Sequence, residues 1–226
     1  LLLKLANGRL RRQVSRGQLL SDALAYLNKA LDKYGLVAFD AAQVEERDQA
    51  VRATLHVSLE LLNADDYACY KELAVFPQEV DIPLTTLHKL WAAARGLDEF
   101  DTEELCNRLS ELSLLLGFDL AKRIISLHDV IRVYLQREIG VELSALHAQL
   151  LDAYACKRWA ELAHDEPYLW DHLAEHLIGA QRNGELIGTV KDLSYLATKV
   201  LVRGAYAVET DLIMAEQFAS EDIPLR

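Results

Sequence analysis

The chain has 226 residues, 51% of them hydrophobic and 26% charged, and its 24 basic and 35 acidic side chains give a formal charge of −11. This composition excludes an intrinsically disordered chain, which would be poor in apolar residues, and it excludes a collagen-like or low-complexity chain. Ten glycines and four prolines are few for this length. Strong helix formers with few helix breakers predict an all-α protein of one or two domains.

Nothing in the chain predicts a membrane or secreted protein. No apolar run approaches the roughly 18 residues of a membrane span, and the N-terminus lacks a signal-peptide pattern. The cysteines (Cys69, Cys106 and Cys156) are odd in number and far apart, which favours buried thiols in a reducing compartment over disulfides or a zinc site. We therefore expect a soluble, cytoplasmic protein with no membrane partner.

The first predicted segment, residues 1–63, is a helical domain. Apolar residues recur at helical spacing from residue 20 to a stop at Gly35, and again from about residue 48 to a break at Asn63. Residues 1–16 carry five basic side chains and no acidic one, and the chain starts inside an apolar stripe without Met. We expect this domain to be truncated at its N-terminus.

The second predicted segment, residues 64–140, opens with three short helices. Pro83 suits the first turn of the second helix, and Gly96 is placed to end it. Asp101, followed three residues later by Glu104, is a capping-box-like start for the third helix.

A β-hairpin and a further helix complete this segment. Residues 113–117 and 123–127 are short runs rich in Leu and Ile, which predict two strands joined by a turn. Asp129 is placed to cap the next helix, and Gly140 to end it. Three short helices followed by a two-stranded wing is the arrangement of a winged helix.

The third predicted segment, residues 141–226, is a second helical bundle. One helix surrounds Leu146 and Leu150, and another starts near Pro167. An amphipathic pattern that ends at Gly204, and a last helix after it, complete the bundle. The apolar stripe of that pattern is formed by Leu193, Leu196, Ala197, Val200 and Leu201.

A winged helix suggests DNA binding, which is the alternative function for this chain. The helix before the wing would then lie in the major groove. That helix has a net charge of −3, because Arg108 is its one base against Asp101, Glu103, Glu104 and Glu111. Lys122 and Arg123 at the wing tip are too few to reverse the repulsion of the phosphates. The pattern therefore argues against nucleic acid as a partner.

One pattern with metal-site spacing occurs, at His172, Glu175 and His176. It matches the H-x-x-E-H order of an inverted zinc-peptidase motif, for which Glu185 and Glu209 are the downstream candidates for a third ligand. The competing interpretation is stronger, because His176 falls within a leucine stripe and would be a packed core histidine. No P-loop, dinucleotide-binding or nucleophile-elbow motif occurs. We therefore expect no metal, no bound cofactor and no enzymatic activity in this chain.

Three segments carry a family resemblance. Leu73-Ala-Val-Phe-Pro77, with Ile82-Pro83-Leu84 and Leu90-Trp91 after it, resembles a block in the winged-helix domain of NB-ARC proteins, the signal-transduction ATPases of the STAND class. Leu127-His128-Asp129 resembles their M-H-D motif, with Leu in place of Met. The start of the chain, residues 1–10, resembles the beginning of their first helical domain, and residues 142–226 look like the second helical domain of the apoptotic protease-activating-factor branch.

The resemblance implies a nucleotide-controlled switch. In that family an upstream P-loop domain binds ADP or ATP with Mg²⁺, and the histidine of the M-H-D motif donates to the β-phosphate of ADP in the inactive state. This assigns His128 as the phosphate contact, with Leu127 and Asp129 as its structural neighbours. It also implies a downstream repeat domain, by resemblance a β-propeller, and a homo-oligomer after activation. Taken alone, the residues leave a simpler interpretation open, in which His128 closes the hairpin and Asp129 caps a helix.

Overall fold

The computed structural model describes residues 58–219, together with positions 14, 17–22, 24, 25 and 55. Most of the helical domain predicted for residues 1–63 lies outside these residues. The described part is mainly helical and contains one three-stranded sheet. Its residues group into two compact units, the first of residues up to 91 with 97–140, and the second of residues 92–96 with 141–219. The division into three domains remains a prediction.

The elements of the first unit are named here in chain order. The helices are α1 (Ala64–Glu72), continued by a 3₁₀ turn (Leu73–Val75), then α2 (Leu84–Arg95), α3 (Glu99–Glu111) and α4 (Asp129–Ile139). Residues 92–95 of α2 are counted with the second unit. The strands are β1 (Asp81–Pro83), β2 (Gly117–Asp119) and β3 (Ile124–Ser126). The short helices, the hairpin and the helix after it therefore follow in the predicted order.

The starts of α1 and α3 are fixed by side-chain caps. Asn63 Oδ1 accepts the Asp66 N–H at 2.8 Å, and Asp98 Oδ1 accepts the Asp101 N–H at 2.8 Å. The prediction that Asp101 caps α3 is wrong, because Asp98 has the extended backbone of a cap and Asp101 already lies inside the first turn, where it completes a capping box. Each cap satisfies an N–H that the first helical turn leaves without a partner.

The sheet has β3 at its centre, with β1 and β2 antiparallel on either side. The predicted hairpin is present, but its first strand starts at Gly117 rather than at residue 113, because residues 113 and 114 still close the end of α3. The Ser113 N–H donates to the Ser110 carbonyl and the Leu114 N–H to the Leu109 carbonyl, each at 2.9 Å. Strand β1 was not predicted. Pro83 lies at the end of this edge strand, where a residue without an N–H is tolerated, and not in the first turn of α2.

The interior of the first unit is apolar. The largest of its fully buried side chains are Trp91, Tyr70 and Phe76. The hydroxyl of Tyr70 donates to the carbonyl of Leu114 at 3.1 Å, so its one polar atom has a partner. Burial of this kind is the main source of stability for a small domain.

The second unit consists of five helices within the described residues. They are α5 (Leu143–Ala153), α6 (Pro167–Gly179), α7 (Asn183–Lys191), α8 (Leu193–Arg203) and α9 (Ala205–Ala219), with a 3₁₀ turn at Trp159–Glu161. Pro167 opens α6 as predicted, since a residue without an N–H costs little in the first turn. Helix α7 and the 3₁₀ turn were not predicted.

Helix α8 ends before Gly204 as predicted, but its buried face is not the one that the apolar stripe indicates. Leu193 and Leu201 are 79% and 78% exposed, whereas Tyr195 and Lys199 are fully buried. The reason is a polar contact inside the unit, in which Lys199 Nζ lies 2.5 Å from an Asp211 carboxylate oxygen. The hydroxyl of Tyr195 donates to the same carboxylate at 2.6 Å.

Candidate functional site at the start of helix α4

His128 lies between strand β3 and helix α4, and it caps the helix. Its backbone is extended, and its Nδ1 accepts the Val130 N–H at 3.3 Å. The prediction that Asp129 is the cap is therefore wrong, since Asp129 is the first residue of the helix itself. Leu127 is buried and holds the segment to the core. A carboxylate in the first helical turn remains favourable through the helix dipole.

The capping bond determines what His128 offers to a ligand. A neutral imidazole that accepts at Nδ1 carries its proton on Nε2, so Nε2–H is a donor. The side chain is half-buried rather than enclosed. The ring is therefore suited to donating one hydrogen bond to an acceptor outside the helix, such as a phosphate oxygen.

A cavity of about 390 Å³ adjoins His128. Its lining comes from the loop before β1, the connections that flank β2 and β3, and the start of α4. The lining residues are Glu79, Val80, Asp81, Leu116, Ser126, Leu127, His128 and Asp129.

The charge of this cavity is unfavourable for an anion alone. Three carboxylates, those of Glu79, Asp81 and Asp129, line it beside one histidine. The Oδ1 atom of Asp129 is buried and has no hydrogen-bond partner among the described residues. The helix start and Nε2–H of His128 fit a phosphate oxygen, but the carboxylates require additional positive charge from outside the described residues.

The basic side chains near α3 and the wing are held by acidic ones. Arg108 Nη1 lies 2.9 Å from a carboxylate oxygen of Asp66, and Arg123 Nη1 lies 3.2 Å from one of Glu103. Lys122 Nζ lies 3.7 Å from a carboxylate oxygen of Asp119. These cations are partly neutralised before any phosphate approaches them.

The residues of the H-x-x-E-H pattern are split between the inside and the outside of α6. His176 is fully buried, and its Nε2 lies 2.7 Å from the hydroxyl oxygen of Tyr168. His172 and Glu175 contact each other, with 2.9 Å between Nδ1 and Oε2. This agrees with the interpretation of His176 as a packed core histidine.

The other ligand candidates do not join this pattern. Glu185 accepts the indole N–H of Trp159 at 2.8 Å, and Glu209 is exposed on α9. Cys69 and Cys106 are buried thiols, and Cys156 is half-buried. Across residues 58–219 and the few described positions before them, no group of three metal-ligating side chains occurs.

Sequence reasoning missed two polar clusters inside the second unit. One is Lys199 with Asp211 and Tyr195, and the other is His176 with His147, whose Nδ1 atoms lie 2.9 Å apart. The only sequence signal for the first cluster is that Lys199 lies one helical turn after Tyr195. A lysine at such a position ordinarily faces solvent. The second cluster joins two histidines that are 29 residues apart in the sequence, and it has no local signal.

Comparison with known proteins gives one distant similarity. No protein-family profile matches the chain. Over 175 residues, which are 75% of the chain, it is 25% identical to apoptotic protease-activating factor 1 of Danio rerio. The chain spans only 13% of the length of that protein. No helix in the described part of the chain is long and apolar enough to cross a bilayer.

Proposed function

We propose that the chain is the regulatory arm of a nucleotide-switched STAND-class ATPase. The observation that carries this proposal is the similarity to apoptotic protease-activating factor 1 across three quarters of the chain. The Leu127-His128-Asp129 segment at the start of a helix agrees with it. The chain itself would be no enzyme and would bind nucleotide weakly or not at all.

The order of elements in the first unit supports a winged helix within residues 64–140. Helices α1, α2 and α3 precede the β2–β3 hairpin, and β1 adds a third strand beside β3. In the proposed arrangement this unit closes over an upstream P-loop domain that binds ADP or ATP with Mg²⁺. Residues 141–226 link it to a downstream repeat domain, by resemblance a β-propeller.

His128 would favour the closed state through one hydrogen bond. Its Nε2–H is the donor that the capping bond leaves available for a phosphate oxygen of ADP. A hydrogen bond to a charged group is worth about 1.5 to 3 kcal/mol, which shifts a two-state population about ten- to a hundredfold. The three carboxylates nearby make this contact depend on positive charge from the upstream domain.

The proposal extends to partners and location. The active form of the longer protein would be a homo-oligomer in the cytoplasm, without a membrane or nucleic-acid partner.

The test separates the two roles of His128 in the longer protein that carries the P-loop domain. His128→Asn keeps a good helix cap but removes the ring Nε2–H. We expect unchanged thermal stability and ADP release about ten- to a hundredfold faster. His164→Asn, at an exposed position, is the matched control and should release ADP at the wild-type rate. Wild-type release from His128→Asn would disprove the phosphate contact.

DNA binding is the competing function, and the helix–hairpin arrangement is what favours it. The charges oppose it, because α3 is acidic and Arg108 and Arg123 lie in ion pairs. We expect no shift of a random duplex in a gel at 50 mM salt. A shift that weakens steeply as salt rises would support the DNA-binding alternative instead.

A further inference from the structure

Two histidine rings meet inside the second unit, one from α5 and one from α6. His147 Nδ1 lies 2.9 Å from His176 Nδ1, and the ring centroids are 5.0 Å apart. His176 Nε2 is held by the hydroxyl of Tyr168 at 2.7 Å. Both nitrogens of His176 are therefore engaged, and the ring is fully buried.

The close approach of the two helices depends on Gly179. A Cβ atom at this position would lie 2.6 Å from Cδ2 and Nε2 of His147. The His147 ring thus rests directly on the backbone of α6, in the space that a side chain would occupy. The histidine pair and this glycine form one contact between α5 and α6, which we name the histidine contact.

The geometry limits how many protons the histidine contact holds. A hydrogen bond between two nitrogens needs one N–H and one lone pair. The neutral pair satisfies this with a proton on one Nδ1. A first added proton goes to an outer ring nitrogen and leaves that bond in place, although it places a charge in the interior. A second added proton makes both rings cations with an N–H on each Nδ1, so the bond is lost and like charges face each other.

We propose that the histidine contact holds α5 against α6 at neutral pH and releases the two helices when both rings are protonated. The release is local to the second unit and does not depend on the proposed nucleotide switch. It would expose the helix faces that meet at Gly179. Acidification would therefore loosen this unit while the first unit stays folded.

The burial of the two rings supports the direction of this response. Burial, with His147 and His172 as smaller causes, holds the pKa of His176 well below its ordinary value, and burial also lowers the pKa of His147 despite the opposing charge of Glu175. The open state therefore binds protons more readily than the closed one. Stability is full above about pH 6.5 and falls as the pH drops below it.

Several charged groups on the helices around α6 form ion pairs with one another, among them Arg182 with Glu185. On α6 itself, the Tyr168 hydroxyl contacts the His176 ring, and the charges of His172 and Glu175 act on His176 and His147 respectively. The remaining pairs are Asp171 with Arg203, Lys199 with Asp211, and Asp152 with Arg182.

Hydrogen exchange of the 226-residue chain between pH 6.5 and 5.0 tests the pH-dependent release of α5 from α6. After correction for the intrinsic rate, we expect protection of α5 and α6 to fall by more than tenfold per pH unit, since tenfold is the limit for one proton. His147→Gln retains a hydrogen-bonding amide but cannot titrate, so its protection should fall by no more than tenfold. His164→Asn should behave as wild type. A wild-type slope at or below tenfold, or an equal slope in His147→Gln, would overturn the proposal.

A second measurement on the wild-type chain needs no variant. Ring nitrogen NMR should show one proton shared between the two Nδ1 atoms at pH 7.5, and its loss should coincide with broadening of α5 and α6 signals. If both rings become cations while the α5 and α6 signals stay unchanged, the proposed release of the two helices is contradicted.

Discussion

The two units differ in how deeply they bury basic side chains. In the first unit Asn63, Asp98 and His128 sit at helix starts and satisfy backbone N–H groups. In the second unit His176 and Lys199 lie in the interior. Both arrangements satisfy polar groups, but Lys199 and His176 are fully buried where water cannot compensate for a charge, whereas Glu72, the buried carboxylate of the first unit, keeps 8% of its surface exposed.

This difference explains where hydrophobic pattern predicts the fold and where it does not. Polar side chains at helix ends leave the apolar stripe free to define the buried face, as in the first unit. A buried ion pair competes with the apolar stripe in deciding which face of a helix is turned to the interior. In α8 the Lys199–Asp211 contact and the stacking of Tyr195 on Trp170, with centroids 5.6 Å apart, decide the rotation of the helix.

The largest expected effect on stability comes from removing one partner of the buried Lys199–Asp211 pair. Asp211→Ala leaves the Lys199 charge without its carboxylate, and we expect a loss of about 3 to 5 kcal/mol in the free energy of unfolding. Urea denaturation measures it. The matched variant in the first unit is Glu103→Ala, which removes a solvent-accessible partner of Arg123 and should cost about 1 kcal/mol or less.

Replacing the whole cluster separates charge burial from packing. The triple variant Lys199→Met, Asp211→Leu and Tyr195→Phe removes every polar member of the cluster together. Because buried ion pairs are often no better than apolar residues of similar size, we expect stability within about 1 kcal/mol of wild type or above it. If the triple variant is as unstable as Asp211→Ala, the cluster does more than set the rotation of α8.

A smaller effect is expected at the cap of α3. Asp98→Ala removes the side chain that accepts the Asp101 N–H, so we expect a loss of about 1 kcal/mol. Asp101→Ala removes only the weaker return contact, which is 3.4 Å long, and should cost less. Thermal unfolding of both variants ranks the two aspartates, and the opposite ranking would contradict the structure.

The smallest expected effect tests the exposed stripe. Leu201→Gln changes a side chain that is 78% exposed, so we expect a change within about 0.5 kcal/mol. Leu173→Ala, on the buried face of α6, should cost about 2 to 5 kcal/mol. A large loss in Leu201→Gln would indicate that α8 packs by its apolar stripe after all.

The sequence predicted the helices of the first unit and the hairpin, because their apolar spacing and their glycine and proline boundaries are local signals. The sequence analysis placed two caps wrongly, since neighbouring residues such as His128 and Asp129 both suit a helix start.

Within the candidate site, the sequence analysis found His128 only through the family resemblance. It missed Glu79 and Asp81, which β1 brings to the cavity by pairing with a strand more than 40 residues later. Such pairing leaves no trace in local periodicity.

The difference in burial among the three cysteines allows the opening of the first unit to be timed chemically. Burial raises the pKa of the Cys106 thiol to about 12, so almost none of the reactive thiolate exists at neutral pH in the folded state. Cys69 is buried in the same unit, whereas Cys156 in the second unit is only half-buried. An alkylating reagent therefore reaches the first two thiols at the rate at which their unit opens. Mass spectrometry of the modified peptides would time the opening of the first unit, with the more accessible Cys156 as a reference in the same sample.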